Sequence, residues 1–265
     1  MFKEYFGFIR TPFAKDFSEK DAFQCKDFQN LRKRLDYFLK EGGFFLLTGP
    51  VGSGKSTALR FFSASLNPNS CQSVYLNDSF DRKSDFYRTI LSNFRIKPPF
   101  HFGECRIMLK KHLQELALVK RITPIIILDE AQNLPGFILE EIRLLSNFDY
   151  DTKSIALFIL SGHKLLQQRL SGLENEALRQ RISLKFNLQG LSLEETCSYI
   201  RHQLTIAGST ASLFTDSAMS KIYEDSKGIP RVINRICSSL LLAAMSDSKK
   251  FVDESLFDQV QDEWK

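Results

Sequence analysis

Eight residues, Gly49-Pro50-Val51-Gly52-Ser53-Gly54-Lys55-Ser56, lie one residue, Thr48, beyond the apolar run Phe44–Leu47 and open a segment, Ser56–Ser65, with apolar positions at helical spacing. This G-x-x-x-x-G-K-[ST] spacing, set between a strand and a helix, constrains the fold more than any other stretch of the chain. A strand with no polar alternation is buried on both faces, and strands of that kind belong to parallel sheets. The turn is chemically committed as well. Its glycines let the backbone wrap closely around an anion, and successive N–H groups and the helix N-terminus supply partial positive charge. Lys55 is placed to reach β- and γ-phosphates, and the Ser56 hydroxyl is placed to ligate Mg²⁺. Residues Gly49 to Ser56, with Thr57 on the same first turn, therefore form a candidate ATP-binding loop.

Apolar runs recur at Ser73–Leu76, Pro124–Leu128 and Ile155–Leu160, with an alternating one at Ile182–Leu188. Helical patterns at Asp85–Phe94, Glu104–Val119 and Phe137–Phe148 separate them, so the expected class is α/β with a parallel five-stranded sheet between helices. After Leu188 the strands stop. Ser192–Ala207 begins with Ser192 and Glu195 in capping-box spacing, and Thr215–Asp225, Pro230–Met245 and Asp253–Trp264 complete a small all-α unit. The boundary falls near Gln189-Gly190, giving an α/β core over residues 1–190 and a helical unit over 191–265.

A phosphate loop needs a carboxylate for the metal and a base for water. Ile125–Leu128 ends in Asp129-Glu130, two acids at the C-terminal edge of a parallel strand, where ligands of open α/β sheets sit. Asp129 is expected to hold Mg²⁺ and Glu130 to polarise the attacking water, although paired acids there would also cap the helix announced by Pro135. Ile155–Leu160 runs into Ser161-Gly162-His163, putting His163 at the next strand tip either as a γ-phosphate sensor or as a helix cap. Arg179 and Arg181 flank Gln180 before the last strand, and Arg231 follows Gly228-Ile229-Pro230 at a helix start. Arginine stabilises transition-state charge on a phosphoryl group, and for Arg231 the helix dipole adds to the guanidinium; a surface salt bridge is the plain alternative for each.

Charge is unevenly spread. The net charge is +5, and residues 51–100 carry seven Lys and Arg against three Asp and Glu. Arg82, Lys83, Arg88, Arg95 and Lys97, with Lys110 and Lys111 on the next helix, form a candidate face for double-stranded DNA, partly neutralised by Asp81 and Asp85. No helix-turn-helix or zinc-finger pattern accompanies it, so sequence-specific reading is not expected. Five scattered cysteines without a C-x-x-C pair suit a reducing cytoplasm. No apolar run approaches the ~20 residues needed to span a bilayer, and no secretory leader precedes Phe17, so a complete cytoplasmic chain without membrane contact is expected.

Together these features resemble the AAA+ ATPases. Within them the chain is similar to the ATPase module of general secretion pathway protein A and to the ATPases encoded beside bacterial transposases. Tyr5-Phe6-Gly7-Phe8 with Thr11-Pro12-Phe13, the loop within Leu47–Arg60, Leu128–Gln132, Leu178–Ile182, Gly190-Leu191-Ser192 with Glu195-Thr196, and Gly228–Arg231 with Asn234 carry the resemblance. It implies a five-stranded core with a helical lid, an N-terminal segment (1–40) over the nucleotide, and self-assembly into a ring or helical filament with ATP at subunit boundaries. It also implies Arg179 or Arg181 as the finger acting in trans, His163 as first sensor and Arg231 as second; relatives usually carry Gln where this chain has His163. Of the branches, a DNA-loading regulator of transposition, partnered by a transposase and a target-recognition adaptor, is expected from the charge split and from the lack of a transmembrane extension. A secretion ATPase or a low-turnover nucleotide switch is the alternative.

Overall fold

The computed structural model describes residues 2–14, 17–147, 155–209 and 211–263. After a short helix α1 (Phe2–Phe6), α2 (Lys26–Glu41) leads into β1 (Phe44–Thr48), α3 (Lys55–Ser65), β2 (Cys71–Leu76), α4 (Lys83–Asn93) and α5 (Phe102–Gln114). Then follow β3 (Thr123–Leu128), α6 (Gly136–Leu145), β4 (Leu157–Gly162), α7 (Lys164–Leu170), α8 (Glu176–Arg179) and β5 (Ile182–Asn187). The last four helices are α9 (Leu193–Ile206), α10 (Asp216–Ser226), α11 (Pro230–Ser246) and α12 (Glu254–Val260).

The five strands form one sheet in the order β2-β3-β4-β1-β5, and every pairing is parallel. The expected α/β class and strand count are those observed. β1, β3 and β4 are almost wholly buried because both faces carry helices. Phenylalanine does much of the filling: Phe44 stacks on Phe158 at 4.8 Å and Phe38 meets Phe45 edge-on at 5.4 Å. The expected helix Glu104–Val119 is α only to Gln114; Glu115–Lys120 widens to a π-helical turn before left-handed Arg121 stops it. Strand β4 reaches two residues past its apolar run, taking in Ser161 and Gly162. The expected helix ends at Phe148 and Trp264 lie outside the described residues.

The chain divides into two compact units, one of residues 30–51 and 55–188, the other of residues 1–29, 52–54 and 189–265. The expectation grouped residues 1–40 with the core. Residues 1–29 instead cluster with the C-terminal helices, for a hydrophobic reason: Phe8 and Phe13 are buried among Leu204, Phe214, Ile236 and Leu240. Phe13 meets Phe214 edge-on, and the Ile9 N–H donates to the Ala207 carbonyl at 2.8 Å.

Within this unit the capping box at α9 is formed: the Glu195 N–H donates to Ser192 Oγ, and the Ser192 N–H donates back to Glu195. The other Glu195 oxygen accepts from the Lys26 N–H at the start of α2. One carboxylate therefore terminates two helices, and Asp27, accepting from the Gln189 N–H, ties down the intervening chain. Among the described residues no helix is long and apolar enough to cross a membrane.

Candidate nucleotide site

The sheet register builds the site. Thr48 of β1 pairs with Gly162 of β4, and Leu128 of β3 pairs with Leu160 of β4. The phosphate loop, Asp129-Glu130 and Ser161–His163 therefore leave three neighbouring strands at one edge of the sheet, at the carboxyl ends where such sheets bind ligands.

The loop has the backbone its sequence requires. Gly52 and Gly54 have φ of 84° and 100°, a region closed to most side chains. At Gly52 an added Cβ would come 2.7 Å from Arg231 Cβ, and the Arg231 N–H donates to the Gly52 carbonyl at 3.3 Å. Glycine is thus needed there twice, for conformation and for the approach of Arg231, which is the second residue of α11. Lys55 is buried, with Nζ donating to the carbonyls of Gly49 and Pro50 at 3.0 and 2.9 Å. Ser53 Oγ is buried without a hydrogen-bond partner, a group that an incoming phosphate oxygen would satisfy.

Asp129 is 3% exposed. Its Oδ2 accepts from the Tyr75 hydroxyl at 2.6 Å and its Oδ1 from the Glu130 N–H at 3.0 Å. Burial alone would raise this carboxyl; the hydroxyls of Ser56, Tyr75 and Ser161 with the Glu130 N–H together bring it below the ordinary aspartate value. A carboxylate held below the ordinary aspartate value, with the Ser56 hydroxyl, is a hard oxygen donor pair, which fits Mg²⁺ held at the loop. Tyr75 is pushed well up by burial and then by Asp129, so it remains a donor to that carboxylate.

Glu130 has a left-handed backbone, φ 50° and ψ 35°, which costs about 1 kcal/mol for a residue with a side chain. That turn directs the chain back on itself, and Glu130 Oε2 accepts from Gln132 Nε2 at 2.6 Å. His163 caps α7, its Nδ1 accepting from the Leu165 N–H at 3.4 Å. Arg179 donates to the Ser171 carbonyl at 2.8 Å; Arg181 donates to Asn147 Oδ1 at 2.8 Å and to the Ala177 carbonyl. Tyr75 and Gln132 are the polar members of the site that sequence spacing did not single out. The signal for Tyr75 is the register of β2 on β3, which sets Leu76 against Leu128 and so brings Tyr75 to the edge where Asp129 emerges.

The candidate DNA cluster divides into two groups by exposure. Lys83 Nζ lies 2.6 Å from the buried carboxylate of Glu141, which also accepts from the Tyr87 hydroxyl at 2.9 Å. Arg88 donates to the Phe100 carbonyl at 2.5 Å and lies over the Phe100 ring. Burial, with Arg106 adding like charge, depresses Lys110. These three are half-buried, Lys83 paired with the acid of α6 and Arg88 with the Phe100 carbonyl. Arg82, Arg95, Lys97 and Lys111 are exposed.

A phosphate loop and paired acids on a five-stranded parallel sheet of this order define a P-loop ATPase domain of the AAA+ fold. Residues 39–170 match the family model described as AAA domain. The chain is 32% identical over 250 residues to general secretion pathway protein A of Aeromonas hydrophila, covering 93% of this chain and 45% of that protein. It therefore spans about half that relative's length. Among solved structures it is similar to Cdc6p of Pyrobaculum aerophilum, with TM-score 0.71 and 16% identity over 91% of this chain and 67% of that one. It is also similar to the Aeropyrum pernix ORC1 protein solved in complex with DNA, with TM-score 0.65 and 15% identity over 95% of this chain and 66% of that one. At these identities the structures share the fold.

Proposed function

We propose that the chain is a Mg²⁺-dependent ATPase that assembles on itself and loads onto duplex DNA, where it regulates a transposase with the help of a target-recognition adaptor. The observation that carries the hydrolytic part is the convergence of the loop, Asp129 and Glu130 on one sheet edge, with Asp129 ionised and hydrogen-bonded. Lys55 and the loop N–H groups hold the β- and γ-phosphates, and Gly49 to Thr57 enclose them. Ser56 and Asp129 hold Mg²⁺, which when bound neutralises phosphate charge and orients the γ-phosphoryl group. Glu130 takes the proton of the attacking water. Arg231, whose N–H donates to the Gly52 carbonyl, takes the second-sensor role in this reading. His163 keeps Nε2 for the first-sensor role, since Nδ1 is spent on the cap. Either Arg179 or Arg181 supplies the finger to a neighbouring subunit, and Arg179 has fewer intramolecular bonds to give up.

The exposed basic residues Arg82, Arg95, Lys97 and Lys111 support the DNA reading, through release of condensed counterions from the duplex. A second reading, an ATPase of the general secretion pathway, is favoured by the 32% identity to protein A of that pathway. That identity lies in the module the two branches share, so it bears on the engine more than on its task. Filter binding and electron microscopy with ATP-γ-S test the choice. Salt-sensitive DNA retention together with an ordered oligomer is expected; an oligomer without DNA association would overturn the transposition reading in favour of secretion. Glu130→Gln should keep ATP binding and stabilise the oligomer, and Lys55→Ala should lose both; normal hydrolysis by the Glu130 variant would refute the base assignment.

A further inference from the structure

Gln132 is 8% exposed and polar, and every heteroatom of its side chain is engaged. Nε2 donates to Glu130 Oε2 at 2.6 Å, and Oε1 accepts from the His163 N–H at 3.3 Å. Its main-chain carbonyl accepts from the Arg169 guanidinium on α7. The orientation of the amide follows from chemistry, because a reversed group would set oxygen against carboxylate and NH₂ against N–H. The β4 tip is shaped around it: a Cβ on Gly162 would collide with Gln132 Oε1. The same amide therefore grips the acid after β3 and the backbone where β4 ends.

We infer that Gln132 is a positioning residue for hydrolysis, holding Glu130 by one oxygen and fixing it to the tip of β4. The inference rests on the reading of Glu130 as the base. With Oε2 committed to Gln132, Oε1 accepts a proton from water as the water oxygen bonds to the γ-phosphorus. The bond from that phosphorus to the bridging oxygen breaks, and its electron pair leaves with ADP. A carboxylate is a useful base only in one place, and an amide hydrogen bond anchored on a strand end restricts it to that place. Any ligand that shifts the backbone at His163 moves the base with it.

Single-turnover hydrolysis of ATP by the full chain, alongside equilibrium ATP binding, tests this. Gln132→Glu keeps the length and still accepts from the His163 N–H, but has no proton to give Glu130. Its hydrolysis rate should fall at least about tenfold, within the range that a displaced general base forfeits, while ATP affinity stays within about twofold. The double variant Glu130→Gln/Gln132→Glu should be no slower than Glu130→Gln, since a residue acting only through Glu130 has nothing left to act on. Wild-type or faster hydrolysis by Gln132→Glu overturns the inference, as does a double variant slower than Glu130→Gln by the full factor of the single change. Should Gln132→Glu fail to fold, Gln132→Asn, which withdraws the amide by one methylene, should show the same loss. Normal turnover by Glu130→Gln would instead remove the base reading itself, a result distinct from failure at Gln132 alone.

Discussion

Replacing Glu141 by alanine tests the central packing feature around the basic cluster. Glu141 is 2% exposed on α6 and accepts from Lys83 on one oxygen and from Tyr87 on the other. Tyr87 is fully buried, and burial followed by the Glu141 charge keeps its phenol protonated well above the ordinary range, so it needs an acceptor. Removing the carboxylate strands that hydroxyl at about 1–3 kcal/mol. The Lys83 side chain is 43% exposed, so losing its partner costs at most about 1 kcal/mol after solvent screening. The sum is roughly 1–4 kcal/mol. At about 2–4 °C per kcal/mol for a chain of this size, the thermal midpoint of the sheet unit should fall by roughly 2–16 °C in calorimetry.

The asymmetry is what makes the prediction sharp. Lys83→Ala should cost under about 1 kcal/mol, because Tyr87 keeps its acceptor and the exposed ammonium was largely hydrated. Glu141→Leu should recover part of the loss relative to alanine by refilling the volume, without restoring a partner for Tyr87. An unchanged midpoint for Glu141→Ala, or equal losses for Glu141→Ala and Lys83→Ala, would refute the reasoning that an inward-facing acid organises these helices. A second arm concerns DNA. If Lys83 is committed to Glu141, then Arg82→Ala should lower the slope of log affinity against log salt by about one, and Lys83→Ala should leave it nearly unchanged.

Other outcomes follow from the same contacts. The Asp129 carboxyl is lowered from 3.8 in the fold, so its stabilising contribution is fully present above that pH and is lost as pH falls through the folded value. Urea titrations should find Asp129→Asn destabilising at neutral pH and the difference shrinking in acid. Phe13→Ala should cost about 3–5 kcal/mol in the helical unit, read as loss of amide protection in α9 and α11; a fall under about 1 kcal/mol would mean that residues 1–29 are not part of its core. Ser192→Ala should cost about 1 kcal/mol by opening the capping box, measured by chemical denaturation.

Strands β1, β3 and β4 were legible because parallel strands buried on both faces appear as unbroken apolar runs, β5 because its exposure alternates, and the helix caps because Ser192, Glu195 and Pro230 act within one turn. Helix α2 has Leu31, Leu35 and Phe38 at helical spacing, but they are thinly set among charges and their burial depends on packing supplied by distant residues. The same limit explains the grouping of residues 1–29. An aromatic segment states that it needs an apolar partner, and whether that partner is a base or the side of a helix is decided by residues some 200 positions away.

At the site, what spacing could deliver is what lies in one turn: Lys55 and Ser56 in the loop, Asp129 and Glu130 at a strand end. Tyr75 belongs to a different strand, and only the register of β2 on β3 brings its hydroxyl to Asp129. Gln132 is two residues from Glu130, a separation that on a helix would point the two side chains apart. They meet because Glu130 takes a left-handed backbone, a conformation that nothing about a glutamate announces. A strained backbone at an acid expected to bear chemistry is where local preference yields to function. It follows that stability and activity should separate: Glu130→Gly relieves about 1 kcal/mol of backbone strain but strands the buried Gln132 amide at about 1–3 kcal/mol, so it should lower stability by at most about 2 kcal/mol while abolishing hydrolysis. Glu130→Gln should keep the turn and the strain together.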